Sequence, residues 1–585
     1  MRCKTIIIGC LVCISSFAQT YQLQDILTDI YTEVSEYGIS MDDLEEQLMY
    51  IAENPINLNQ TNAEELSQLC WLTDQQIEDI LLYQYLHPFV SIYELQLIHS
   101  LKDYDIRDLL PFVYVGQVEE KQKIYFREIF HYANHEITLR TDARNIENFD
   151  GDPIYAKLRY RFDYQNKVQA GLTIDRPTGQ TWQNIQYGAF IQLQDIGVIK
   201  NLSVGNYQAN FGQGLVIGSP FKMGKSRWIS SGINAREGVR KFTSVGDDYR
   251  AFHGVGTTMQ FGWAEVSAMY SIDQQKDTSW HHLLGVNATG KWNKLKVGIT
   301  AIENIEAHND QTTTKAVVGL NARYNFGKID LWGEMAVTQG NRWGLGGIVG
   351  ADFTPISDVY LLALYRYYSP SFNNPYAYAF SEKTKLNDEN GFYLGLDIRT
   401  VSKWRFSGYI DAFREGYDAM LQADFIPNNT YEMNWRVRAR QQVHKNTYAA
   451  RYRFMYRLPN WIFRTQADAN IVKTEKWTYG VSLLQDIEYH IPIVPIVLQL
   501  RMQAFDAREW NNRIYAYEND VLYAYSIPNV YGLGARFYLN ARYKINDTFS
   551  VYLRVSETIY QQSWAAAHDK KSTRTDIHAL LRVKL

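Results

Sequence analysis

Histidine pairs, glycine-flanked lysines and regularly spaced arginines are the residues of this chain whose types and spacing could do chemistry. His131 and His135 stand four apart, a spacing that offers two imidazoles to a metal when it falls on a helix. The residues around them alternate as in a strand, and His281-His282 adjoins a turn, so both pairs read as interface or loop histidines. Gly218 to Ser226 ends in Gly224-Lys225-Ser226 and resembles a phosphate-binding loop, but Ser219 occupies the place of the first glycine and no strand-to-helix context surrounds it. Ser, His and Asp are plentiful, yet no spacing singles out a hydrolase group. No catalytic residue, metal site or cofactor is expected, and the chain reads as not an enzyme.

The arginines are more regular. Arg159, Arg161, Arg436, Arg438, Arg440, Arg451, Arg453, Arg536, Arg542 and Arg582 sit at charged positions that alternate with apolar ones. A second positive cluster, Lys222, Lys225, Arg227, Arg236, Arg240 and Lys241, follows the glycine-rich stretch Gly205 to Leu215. What either set can do depends on the elements that carry it.

Composition narrows those elements. With 585 residues, 43 Tyr, 26 Phe, 14 Trp and only 14 Pro, the chain is neither disordered nor collagen-like. Past the N-terminus no uncharged apolar run approaches the ~20 residues a membrane helix needs. A soluble multidomain protein or a transmembrane β-barrel remains. Arg2 and Lys4, the apolar stretch Ile6 to Ile14 and Ser16-Phe17-Ala18 read as a secretory signal peptide over 1–18, cut before Gln19. A lipid-attachment reading of Ile7-Ile8-Gly9-Cys10 is the alternative. Cleavage leaves Cys70 alone, so neither an intrachain disulfide nor a cysteine metal cluster is available.

Charge divides the mature chain in two. Gln19 to Val113 holds 18 acids against Lys102 and Arg107, a net of −16, which leaves +10 for Tyr114 to Leu585. The acidic part reads helical, with an acidic segment over 19–53, a module over 54–115 and a polar linker over 116–124. Thr61 with Glu64 (or Asn62 with Glu65), Thr73 with Gln76, and Ser91 with Glu94 fit capping boxes. Apolar residues follow each at helical spacing: Leu66 and Leu69; Ile77, Ile80 and Leu81; Leu95 and Ile98; Ile106, Leu109 and Leu110.

The run from Pro55 to Leu66 and the midpoint Phe89-Val90-Ser91-Ile92-Tyr93-Glu94-Leu95 resemble the tandem helix-hairpin-helix module of competence DNA receptors. The resemblance implies hairpin turns at Trp71-Leu72-Thr73 and Leu101-Lys102-Asp103. In that family a glycine-hydrophobic-glycine turn lets backbone amides approach a phosphate. Neither turn here has a glycine, and the module is net −7. Phosphate binding runs on cation-driven counterion release, so nucleic acid is disfavoured and protein docking is the expected role.

The region 125–585 alternates strictly. In Lys157 to Tyr164 every even position is apolar or aromatic and every odd one charged; Asn434 to Arg440, Ala535 to Lys544 and Ile577 to Leu585 repeat the device. Segments of about ten residues suit a tilted membrane wall. Tyr and Trp recur at their ends, and short and long connections alternate, as in outer-membrane barrels. The fold class expected is mainly β, a large antiparallel transmembrane barrel of about 20–24 strands behind a small all-α domain. Gly212-Gln213-Gly214, after a strand in such a chain, resembles outer-membrane proteins of the Bacteroidota type, a resemblance that brings no activity.

The expected place is therefore the bacterial outer membrane, in contact with its lipid, with the helical module in the periplasm. If apolar positions face lipid, the ten arginines line the lumen. They either favour an anionic solute or pair with inward acids such as Asp163, Asp411 and Glu488. The Lys222 to Lys241 segment is either a constricting loop or an ordinary outer one. Three functions stay open: a channel whose acidic module docks a partner protein or closes the barrel mouth, a DNA-uptake component, and a structural anchor in the envelope.

Overall fold

Alternation of charged and apolar residues lets a sheet curl with its apolar set outward, and closure leaves no backbone group unpaired in lipid. The computed structural model describes residues 23, 26–32, 42–118, 126–145, 152–218, 225–229, 237–245, 251–274, 279–308, 311–340, 342–524 and 527–585. The leader 1–18, most of the linker, Lys222 and Arg236 fall outside them. Among the described residues, strands from Asn134–Arg144 to Thr573–Lys584 form one closed antiparallel barrel of 24 staves. Each stave pairs with its chain neighbour, and the last closes on the first from Asp576 opposite Arg144 to Lys584 opposite Glu136. A four-residue strand, Gly238–Lys241, is added along the end of Ile199–Asn210.

An even stave number brings both ends of the barrel to one rim, the near rim. Every connection there is five residues or fewer, from Gln165-Asn166-Lys167 to Ile545 through Thr548. The far rim carries the long connections 145–153, 177–185, 211–251, 369–388, 508–531 and 561–572. The expected alternation of short and long fails at several short far-rim connections, Arg414-Glu415, Val443-His444 and Thr474 to Lys476 among them. The staves flanking the last two run to 12–14 residues and so close above the membrane band with tight turns.

The pleat sorts the side chains. In Trp404–Phe413, Arg405, Ser407, Tyr409 and Asp411 are buried inward while Ile410 is exposed on the outside. Leu284, Val286, Leu320, Met335, Val349, Leu421, Val437, Leu483, Leu539 and Leu553 continue the outer apolar band. Aromatic pairs ring the near rim: Trp263 stacks on Trp292 (4.9 Å), Trp404 on Trp435 (5.8 Å) and Trp461 on Tyr489 (4.1 Å). Trp280, Tyr367 and the Tyr448–Trp477 pair mark the far side.

The acidic region folds as short helices. Asn62 accepts the Glu65 amide and opens Ala63–Leu66, and a reciprocal Thr73–Gln76 box opens Asp74–Leu86. Ser91 departs from expectation: it accepts the Tyr93 amide at the start of a 3₁₀ turn, Ile92–Leu97, while Glu94 takes the Val90 amide. Asp103–Leu109 completes the set, and Val113-Tyr114 pairs in parallel with Ile56-Asn57 to tie the module's two ends together. Leu66, Leu69, Ile77, Ile80, Leu95, Ile98, Ile106 and Leu109 form its core, with Leu81 only partly buried against it.

Candidate functional site: a stoppered lumen

The helical region is seated in the near-rim mouth, and its acids meet barrel cations around the whole circumference. Glu46, on helix Asp42–Glu53, pairs with Arg159, lies 3.6 Å from both Arg161 and Lys241, and accepts the Thr243 hydroxyl at 2.7 Å. Glu53 meets Arg582 (3.0 Å) and Lys584, and Asp29 meets Arg453. Asp105 meets Arg399 (3.3 Å), Glu64 meets Lys200 (2.8 Å) and Asp74 meets Arg323 (2.7 Å). The module's two cations return the pairing: Lys102 to Asp358 at 2.8 Å and Arg107 to Glu432 at 3.4 Å. Burial would raise the Glu53 carboxyl, but the charges of Arg582 and Lys584 outweigh it and hold it below the usual range.

Far-rim loops fill the lumen from the other side. Phe211, Leu215, Val216 and Ile217 are buried beside Phe372 and Phe380 from the 369–388 loop. Glu334 on the wall accepts the amides of Gln213 (2.5 Å) and Leu215 (3.2 Å), and Asn374 donates to the carbonyls of Leu215 and Val216. Gly212 and Gly214 have φ of +55° and +84°, which a side chain resists, so the turn needs glycine there. Lys225 pairs with Glu382 (2.7 Å) and Asp411, and Arg227 lies 3.7 Å from Asp424.

The 508–531 loop brings acids as well as apolar groups. Glu518 binds Arg536 (2.7 Å) and Arg554, while Asp520 binds Arg554 (2.6 Å) and His578 (2.7 Å). Burial opposes ionisation, but those arginines prevail and leave both carboxyls at about 2. Farther along, Tyr523 stacks under Arg159 (4.7 Å) and donates its hydroxyl to Glu136 (3.0 Å). Arg159 is thus held between a carboxylate from helix Asp42–Glu53 and a ring from a far-rim loop.

The three fillings touch. Trp228 and Tyr517, from two different far-rim loops, are buried in the helical region's own core, where Tyr31 and Tyr517 rings lie 4.9 Å apart. Thr28 donates to Asn519 at 3.2 Å, and Met49 packs on Val521 to Ala524. Between Trp71, Tyr104, Arg107, Trp228, Arg405 and Asn434 there remains a cavity of about 40 Å³, room for a few waters and no solute.

All ten expected lumen arginines point inward, and each has a partner. Arg438 pairs with Asp418 (2.6 Å), Arg440 with Glu382 and Arg451 with Asp468 (2.5 Å), whereas Arg436 and Arg542 donate to Gln422 (2.9 Å) and Gln499 (3.4 Å). Asp163, Asp411 and Glu488 are buried inside as well. At the hairpin turns Trp71, Leu72 and Leu101 are buried, Thr73 caps a helix, Asp103 starts one and Lys102 is tied to the barrel. His135 and His282 hydrogen-bond Tyr160 and Tyr270 (both 2.9 Å), and among the described residues no group of side chains is arranged to hold a metal.

Sequence reading overlooked Arg366, Arg399, Arg501 and Arg554. Arg366, fully buried, bridges Glu389 (2.6 Å) and Asp411 (2.7 Å), and the Tyr365-Arg366-Tyr367 alternation carried that signal. Glu46, Glu518 and Asp520 had none, because helix and loop acids have no fixed inward face.

A closed barrel with an apolar outer band, aromatic girdles and a charged interior is an outer-membrane-type β-barrel. This one is filled by its own N-terminal helices and far-rim loops. No family model matches the chain, and no curated protein matches it. Similar solved structures include the siderophore receptor PirA from Acinetobacter baumannii, at 7% identity over 77% of this chain and 80% of that one, with a TM-score of 0.40. The P pilus usher PapC translocation pore gives 7%, 77%, 99% and 0.36, and the ferripyoverdine receptor of the outer membrane of Pseudomonas aeruginosa gives 12%, 77%, 72% and 0.36.

Proposed function

We propose that the chain is a stoppered transport barrel of the bacterial outer membrane, in which the acidic helical region closes the periplasmic mouth. Short turns mark the periplasmic side of such barrels, and the stopper sits at the short-turn rim. The carrying observation is the circle of ion pairs from Glu46, Glu53, Asp29, Asp105, Glu64 and Asp74 to barrel cations. Opposite net charges of −16 and +10 on the two parts favour this docking over a free-swinging domain. With the stopper displaced, Arg159, Arg161, Arg453 and Arg582 lose their stopper acids and the lumen selects anionic solutes.

Planar-bilayer conductance tests this. The intact protein is silent, and deletion of residues 19–113 gives anion-selective current, because Trp228 and Tyr517 lose the core that holds their loops inward. Identical currents with and without the region overturn the stopper. Filling from both rims also favours a second reading, an envelope anchor that passes nothing, and silence of both proteins supports that one. Against a DNA-uptake role stands the engagement of Lys102 and Arg107, the module's only Lys or Arg, by barrel carboxylates.

A further inference from the structure

The module turns an apolar face away from the barrel. Leu82, Tyr85, Leu86, Val90, Tyr93 and Leu97 are all more than half exposed, Tyr85 and Val90 at 86% and 85%. On helix Asp74–Leu86 one apolar stripe, Ile77 and Ile80, is spent on the module's core, while Leu82, Tyr85 and Leu86 form a second stripe facing water. A surface helix ordinarily places charge there, and a contiguous apolar patch marks an interaction site. The 3₁₀ turn Ile92–Leu97 continues the same surface, because Tyr83 joins the two pieces by a hydrogen bond to Glu94 (3.3 Å) and a ring contact with Phe89 (4.7 Å). The module's ion pairs with the barrel come from Glu64, Asp74 and the 102–107 stretch, none of them in this patch.

The rim of the patch selects its occupant. Glu78, Asp79 and Glu94 surround it, and burial together with the nearby charges of Asp74, Asp330 and Asp79 raises the Glu78 carboxyl. The module's two cations face the barrel, and the barrel's Arg323, which acts on Glu78, is itself shared with Asp74 and Asp330. Such a surface repels nucleic acid phosphates and anionic lipid headgroups alike. Exposed tyrosines amid aliphatic residues are the anchors that protein interfaces favour. We infer that this face is the docking surface for a periplasmic protein that presents an apolar patch ringed by Lys and Arg. The sidedness rests on the reading above; the surface and its chemistry do not.

A photoreactive amino acid placed at Tyr85 or Tyr93 of the full chain in living cells tests the inference. Both positions are expected to yield one protein adduct of the same mass, and Glu78→Lys with Asp79→Lys should cut its yield about tenfold, two charge reversals at a rim being enough to oppose a basic partner. An unchanged denaturation midpoint shows the double variant still folded. Adducts with lipid only, with a second copy of this chain, or none at all overturn the docking surface while leaving the conductance test untouched. Labelling of Tyr85→Cys by an impermeant maleimide on intact cells overturns the sidedness, and the stopper reading with it.

Discussion

Replacing Glu46 with Gln is the sharpest perturbation of the stopper. Its buried carboxylate pairs with Arg159 and lies beside Arg161 and Lys241, with Thr243 donating a hydrogen bond besides. Glu46→Gln keeps the shape and removes the carboxylate that these three cations share. Removing one partner of a buried pair costs about 3–5 kcal/mol. At about 1.4 kcal/mol per decade, the docked-to-released ratio falls a hundred- to a few-thousand-fold. Asp74→Asn is the internal control, because Asp74 and Arg323 are 50% and 30% exposed at the rim. Such pairs are worth about 0–1 kcal/mol, about fivefold at most. Amide exchange of helix Asp42–Glu53, followed by mass spectrometry in detergent or nanodiscs, reads the release directly. Equal acceleration by the two substitutions would refute the argument, since it would mean that the inner pairing carries no more energy than the rim.

Acid should loosen the fillings late. The carboxyls of Glu518 and Asp520 stand at about 2 when folded, below their ordinary values, so their stabilisation is complete above about pH 4 and is lost as pH falls through about 2; protection of the 508–531 loop, its amide exchange divided by the intrinsic rate at each pH, should be flat from pH 7 to 5 and fall only below about 4. Arg366→Leu removes the guanidinium that bridges Glu389 and Asp411 in the wall and leaves Asp411 to Lys225, an expected loss of about 3–5 kcal/mol visible as a lowered denaturation midpoint, whereas a loss under about 1 kcal/mol would mean water reaches the pair. The intact protein should leave the mobility of duplex DNA unchanged at low salt, and Lys102→Ala should alter nothing there, because Lys102 is held by Asp358.

Much of the wall was legible because a strand gives every second residue the same fate. Arg159, Arg161 and Arg536 could be placed inside from alternation alone, and the near-rim turns from their Gly, Asn and Lys residues. Helix starts at Asn62 and Thr73 were equally readable, since a cap is a local bond. Ser91 caps as read, but through the Tyr93 amide, and Glu94 takes the Val90 amide in place of Ser91's own. The filling of the lumen by the 508–531 loop was out of reach. Nothing in the spacing of Glu518, Asn519 and Asp520 says that a far-rim loop turns inward, and only the arrangement of Arg536, Arg554 and His578 around them does.

The two ends of the barrel share a core, and that constrains how it could open. Trp228 and Tyr517 descend from the far rim and are buried among residues of the near-rim helices, so neither filling can leave without exposing the other's apolar surface. Burying a large aromatic side chain contributes about 1.5–3 kcal/mol, so the two rings alone couple the ends by several kcal/mol. A ligand that pulls either loop outward must therefore weaken the stopper, and a protein that draws the stopper from the near rim must loosen both loops by the same free energy. Arg159, gripped by Glu46 on one side and Tyr523 on the other, adds a polar version of the same link. Opening from one side only would require the barrel to break this shared core without compensation, which makes paired engagement at both rims the low-energy route.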